Sequence, residues 1–182
     1  MTECPFCDEY DYIVDYVTGR KFPDTPVERV RQKLERFLIE VKGYSKDDIE
    51  VDVGREIVVN GEKVDLRAEL VVNVEGKRFM VVKCEPPTRS ITPLERRTIS
   101  IARLLFATPV PIAVLTNGNE TVIIDAISGK TVGESLAEIP SKNEAINMVG
   151  NMQLERLPEE KIEKEKRILA TFAALRCEKC GV

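Results

Sequence analysis

The chain has 182 residues, 43% of them apolar, which suits one hydrophobic core of ordinary size and excludes a disordered tail. Its 27 basic and 31 acidic residues leave a net charge of −4, against coating nucleic acid or acidic membrane by bulk charge. Histidine is absent, which removes Ser-His-Asp and Cys-His nucleophiles, histidine bases and histidine-ligated metals, so carboxylates, Lys, Tyr and Cys must carry any chemistry.

The first residues show no basic segment followed by an apolar one, and the longest near-apolar stretch, 104–115, is broken by Pro109 and Pro111. A cytoplasmic protein without membrane contact is expected. Residues 8–16 are acidic and aromatic, and 18–23 read as a loop. Thr25-Pro26-Val27-Glu28 supplies an N-cap, a proline at the first helical position and a Glu at the third. Val27, Val30, Leu34, Phe37, Leu38 and Val41 follow at helical spacing, which predicts a helix of about four turns ending near Gly43. Residues 49–53 and 57–59 read as short strands, followed by an Asn60-Gly61 turn. A central hairpin of 67–74 and 78–85 joins through a three-residue loop, Glu75-Gly76-Lys77. Its second strand is apolar on both faces, as inside a sheet covered on both sides, and Pro86-Pro87 stops it.

Thr92-Pro93-Leu94-Glu95 repeats the earlier cap and predicts a helix to about Ala107. Residues 112–116 form a buried strand, Asn117-Gly118-Asn119 turns the chain into 121–127, and Ser128-Gly129-Lys130 leads out of the core. Ser141-x-x-Glu144 opens a short helix, and 158–176 a long one with Glu160/Lys164 and Glu163/Arg167 pairs. The sum is one α/β domain.

Four of five cysteines form two C-x-x-C pairs, Cys4/Cys7 and Cys177/Cys180, at opposite ends of the chain. Two such knuckles supply the four thiolates of a tetrahedral structural zinc site, with iron as the second choice of metal. Redox dithiols or a disulfide are the alternatives, though neither pair sits in a thioredoxin-like strand-turn-helix. A shared ion requires the two termini to meet. Cys84, in an apolar strand, reads as a core residue.

Charged residues on a buried strand are costly and require a partner or a task. A three-residue loop at 75–77 pairs residues whose numbers sum to 152, placing Glu69 across from Lys83, with Phe79, Val81, Lys83 and Glu85 on one face. The order Thr25-Pro26-Val27-Glu28-Arg29-Val30-Arg31-Gln32, Arg67-Ala68-Glu69-Leu70-Val71-Val72, Val81-Val82-Lys83-Cys84-Glu85-Pro86-Pro87 and Leu115-Thr116-Asn117-Gly118 resembles the N-terminal nuclease domain of type I restriction enzyme R subunits. That domain belongs to the PD-(D/E)xK, or restriction-endonuclease-like, superfamily.

The resemblance spans residues 18–133. It implies a restriction-endonuclease-like mixed central sheet flanked by helices; 1–17 and 134–182 lie outside it as terminal extensions, joined by the zinc knuckle that the cysteine spacing predicts. It also implies a magnesium-dependent phosphodiesterase site with an acid on the first hairpin strand, E-x-K on the second and a helical Glu. Residue by residue, Glu69 falls on the first acid and Glu28 on the helical one. The central motif departs from the pattern: E-x-K has become Lys83-Cys84-Glu85, with acid and base exchanged about 6 to 7 Å apart. The family's Gln-x-x-x-Tyr positions hold Arg97 and Ile101. Both departures favour an altered active site. Each residue also has a plainer reading: Glu28 as a capping-box acid, Glu69–Lys83 as a salt bridge, Glu85 as a solvated strand end.

From Lys77 to Arg103 seven cations face two carboxylates, a basic surface in which Arg89, Arg96, Arg97 and Arg103 are placed to meet phosphates; a solvated helix face is the alternative. The favoured expectation is a nuclease-fold module that binds DNA, working with other restriction or repair proteins because the chain has no helicase motif. An active magnesium-dependent endonuclease is the first alternative. A protein-interaction module without nucleic acid is the second.

Overall fold

The computed structural model describes residues 11–177, with side chains to residue 174. A six-stranded sheet runs in strand order β3(Ile49–Val59), β4(Glu62–Val74), β5(Lys77–Cys84), β6(Ile112–Thr116), β7(Thr121–Asp125), β8(Lys130–Gly133). All neighbours are antiparallel except β5 and β6. The crossover between that pair carries α2(Glu95–Leu104). A small hairpin, β1(Tyr12–Val14) with β2(Lys21–Pro23), precedes α1(Pro26–Glu40), and α3(Lys142–Gly150) and α4(Glu159–Cys177) follow the sheet.

Two apolar layers cover the sheet. One gathers Val30, Leu34 and Leu38 of α1 and Ala145 and Val149 of α3 over Leu70, Val72, Val82 and Val114. The other gathers Ile99, Ile101 and Ala102 of α2 and Leu169 of α4 over Val71, Val81, Ala113 and Leu115. β5 and β6 therefore lie buried on both faces, as their apolar runs require. The helices beyond residue 133 share these layers with the sheet.

Several local expectations shift. Residues 49–59 make one strand rather than two. Val41 of the predicted stripe is exposed, because α1 ends before it. Thr92-Pro93-Leu94 forms a short 3-10 turn, and α2 begins at Glu95 without a side-chain cap. Residues 130–133 add an edge strand instead of leaving the core. The Ser141/Glu144 capping box forms as the pattern requires.

The central hairpin turns through two residues, not three: Lys77 pairs with Val74, and Glu75 and Gly76 both adopt positive φ, 50° and 72°. That is the geometry of a tight twisted hairpin. A two-residue turn gives pairs summing to 151, but a bulge between Val72 and Asn73 leaves Phe79 over and restores 152 from Met80 onward. The same bulge moves Phe79 into the α1/α3 layer, opposite Val81, so the expected shared face of Phe79 with Val81 does not form. β4 changes face as well. Leu66 and Ala68 pack in the α2/α4 layer, whereas Leu70 and Val72 pack in the other, and between them the β3–β4 ladder skips Asp52, at φ 57°, and Glu69. Strict alternation forbids such a switch without an irregularity.

Glu75 holds a left-handed conformation that Asn tolerates better than Glu. Glu75→Asn is expected to raise the urea midpoint by the equivalent of about 0.5 kcal/mol, and a fall in the midpoint would refute the turn geometry.

Candidate functional site

The end of β5 opens into a cleft of about 290 Å³ lined by Asp65, Arg67, Glu69, Lys83, Glu85 and Arg89, with Val27 and Arg97 at its sides. Lys83 Nζ donates to Glu69 Oε1 at 2.7 Å, and the Cys84 backbone N–H donates to Glu69 Oε2 at 2.8 Å. Both oxygens of Glu69 are thereby engaged. The side chains of Lys83 and Glu69 are 8% and 17% exposed, so this ion pair is largely shielded from water. Glu85 is buried, its N–H donates to Thr116 O at 2.8 Å, and its carboxylate takes Arg89 Nη1 at 3.3 Å. Lys83 and Glu85 thus reach the same cleft.

The loop after β5 is tied down by the turn after β6. Asn117 Nδ2 donates to Arg89 O at 2.8 Å, and Asn117 Oδ1 accepts the N–H groups of Asn119 and Glu120. Gly118 follows at φ 88°, and a Cβ there would stand 3.3 Å from Val30 Cγ2 of α1. The Asn-Gly pair therefore fixes the loop carrying Arg89 and lets α1 approach the sheet.

Glu28 lies apart from the cleft's ion pairs. Thr25 Oγ1 accepts the Glu28 N–H at 3.1 Å, so half of the expected capping box exists. The Glu28 carboxylate instead turns inward to Arg31 and Gln32, with Gln32 Nε2 at 2.8 Å. Arg31 also bonds Asp15 at 3.0 Å and stacks on Phe22 at 4.2 Å, clamping the β1–β2 hairpin to α1. Burial pushes Asp15 up, but hydrogen bonds from Thr18 and the charge of Arg31 hold it below its ordinary value. Glu35 is fully buried beside this group, and neither of its oxygens has a hydrogen-bond donor among the described residues. Burial first, then the charge of Asp15, raises Glu35 from 4.5 to about 8. At pH 7 this favours the neutral acid, against the pull of the Arg31 guanidinium 3.6 Å from Glu35 Oε1. This polar stripe, 28, 31, 32 and 35, has the i, i+3, i+4, i+7 spacing of one helix face and was legible in principle beside the apolar one.

The four arginines part company. Arg89 and Arg97 line the cleft. Arg96 and Arg103 converge on Glu165 of α4, at 2.8 and 2.6 Å, with Ser100 Oγ donating to the same carboxylate at 2.7 Å. Burial pushes Glu165 up, but these three partners outweigh it and hold the carboxyl below its usual range. Arg103 also donates to the carbonyls of Ala126 and Ile127. Arg96 and Arg103 thus dock α4 on α2. Asp65 and Arg67, which belong to the cleft, carry no sequence signal beyond an exposed alternation on β4. Cys84 is buried, and burial followed by the Glu69 charge raises its thiol well above the ordinary range. Cys4, Cys7 and Cys180 lie outside the described residues, as does the side chain of Cys177. No described helix is long and apolar enough to cross a membrane.

Because Glu35 is raised above its unfolded value, its contribution to stability is complete below about 4.5 and lost as pH rises through about 8. Urea midpoints from pH 5 to 9 should therefore decline in the natural protein and decline less in Glu35→Gln. Parallel declines would show that another group titrates.

A search of curated proteins and a search of solved structures each returned no match. Residues 26–140, from the first residue of α1 to just beyond β8, match the family model of the type I restriction enzyme R protein N terminus, and the chain belongs to that family.

Proposed function

We propose that this chain is a nuclease-related module that binds DNA through the cleft and has lost metal-dependent cleavage. The observation that carries this reading is the 2.7 Å bond from Lys83 Nζ to Glu69. A magnesium centre needs free carboxylate oxygens converging on one point. Here one Glu69 oxygen is taken by an ammonium and the other by a backbone N–H, while Glu85 is taken by Arg89. Around the cleft, Lys83 pairs with Glu69, Arg67 with Asp52 and Asp65, and Arg89 with Glu85, so each of these carboxylates already has a cation beside it. Among the described residues no three His, Cys, Asp or Glu side chains group as a metal would require. The donor set does not suit magnesium, and no catalytic step follows from it.

A half-exposed guanidinium at the edge of a cleft suits phosphate instead. Arg89, about half exposed and held by Asn117 through its own backbone, is placed to bond a DNA phosphate while leaning on Glu85. Arg97 lines the same cleft. Lys83 stays with Glu69 and keeps the cleft floor rigid. Contacts of this kind position a duplex without reading its sequence. A restriction or repair partner would then supply translocation or cutting.

Fluorescence anisotropy with duplex and single-stranded probes at graded salt tests the reading. Binding should weaken with salt, and Arg89→Ala should weaken it further and lower the log–log salt slope by about 1, with no cutting in magnesium or manganese. Divalent-dependent cutting that Glu69→Ala abolishes would establish an endonuclease. Absence of binding to either probe at low salt would leave a protein-interaction module.

The exchanged motif has its own test. In manganese calorimetry, the double variant Lys83→Glu, Glu85→Lys should gain one site relative to the natural protein, because it restores two adjacent carboxylates and removes the ammonium between them. Equal binding by both proteins would overturn the claim that Lys83 occupies the metal's place.

A further inference from the structure

The cleft lies at the end of β5 and the start of α2, and the opposite end of each element carries a further hollow. One, of about 360 Å³, lies between the C-terminal end of α2 and the start of α4; Leu104, Phe106, Leu157 and Ile162 line it together with Arg55, Arg103, Arg156 and Lys166. The other, of about 380 Å³, lies at the start of β5 and is lined by Lys77, Arg78, Met152 and Leu154. The Arg78 guanidinium stands 3.8 Å from the centre of the Phe106 ring, and the segment 152–157 lines both hollows, so the two join as one groove. Neither shares a residue with the cleft.

The shared wall has backbone to offer. Residues 151–158 link α3 to α4, and among the described residues no N–H or C=O of Gln153 to Leu157 bonds another protein group. Met152 and Leu154 reach the same hollow, the period-two habit of an extended chain, and Pro158 biases Leu157 toward that conformation. An extended segment with an unpaired backbone is a template for one more strand.

The cations of the groove differ in what already holds them. Arg103 is bonded to Glu165 and Lys166 to Glu163, while Arg156 leans toward Glu159 at 3.7 Å with both side chains about 70% exposed. Arg55, Lys77 and Arg78 are exposed, and no carboxylate of the described residues pairs with them. Glu56, next to Arg55 in sequence, pairs with Lys63 instead. Unpaired cations beside apolar hollows suit a ligand that carries both carboxylates and apolar side chains. Single-stranded nucleic acid suits the groove poorly. Phe106 is the one aromatic ring lining it, and Arg78 covers a face of that ring, which leaves no platform for successive bases.

We propose that this groove docks an acidic, extended segment of a partner protein. The segment pairs as a strand with residues 153–157, sets apolar side chains in the two hollows and turns carboxylates to Arg55, Lys77 and Arg78. Main-chain bonds supply affinity, and the hollows and cations supply selection. A partner held there leaves the cleft open, and the inference does not depend on what the cleft binds.

The test selects random peptides displayed on phage against the full chain. The enriched sequences are expected to alternate acidic with apolar residues. A synthetic peptide of that sequence should protect the amides of Gln153 to Leu157 from hydrogen exchange and shift the Phe106 resonances, while leaving Glu69 and Arg89 unmoved. The double variant Arg55→Glu, Lys77→Glu should weaken the peptide by about tenfold or more. The exchange pattern is read on the natural protein, so it decides the matter even if the variant fails to fold. Enrichment of basic or uncharged sequences, or of none, would overturn the proposal, as would protection elsewhere than 153–157 or displacement of the peptide by single-stranded DNA. A concentration-dependent dimer that the double variant abolishes would also overturn it, giving the groove to a second copy of this chain.

Discussion

The bond between Lys83 and Glu69 joins β4 to β5 where both side chains are largely shielded from water, and the geometry around it is arranged so that the two can meet. β4 must change face at Glu69, or the carboxylate would point where Leu70 or Ala68 packs. β5 must recover its register after a two-residue turn, which the extra residue at Phe79 accomplishes. An ion pair so placed contributes little net stability against an apolar alternative, since both charges were taken from water. Its effect is specificity: removing either partner strands the other charge in the cleft, so register and site are tied to one another.

A second polar group lies under α1 and reaches toward the same strand from the other layer. Arg31 draws Asp15 and Glu28 together, and the fully buried Glu35 completes the set as a neutral acid. Its protonation spares the group a further buried negative charge. Cys84 lies within the fields of Glu69 and Lys83 from the cleft and of Arg31 and Glu35 from α1. The N-terminal hairpin, α1 and the end of β5 are thus one electrostatic unit, and the family match begins where α1 does.

On the opposite layer Glu165 plays a comparable part. It ties Arg96 and Arg103 to α4, while Arg89 and Arg97 line the cleft. A basic segment counted along the chain is thereby divided between structural and surface tasks. Charge density in sequence counts cations but not the carboxylates that tertiary packing brings to them.

Local rules sufficed where the deciding neighbours are close along the chain. The α1 cap, the Ser141/Glu144 capping box and the buried β5 and β6 all follow from spacing, because a helix turn, a capping hydroxyl and strand alternation are short-range. The Glu69–Lys83 pairing was legible too, although by a different route. The turn is one residue shorter than expected and the bulge supplies the difference. Only the tertiary structure decided that Phe79 faces away from Val81, that Glu28 turns inward rather than closing its cap, and that Glu165 claims two arginines from more than sixty residues away. Those outcomes depend on which groups meet across layers, where burial makes an unpaired charge or polar atom costly and so selects partners that no local pattern names.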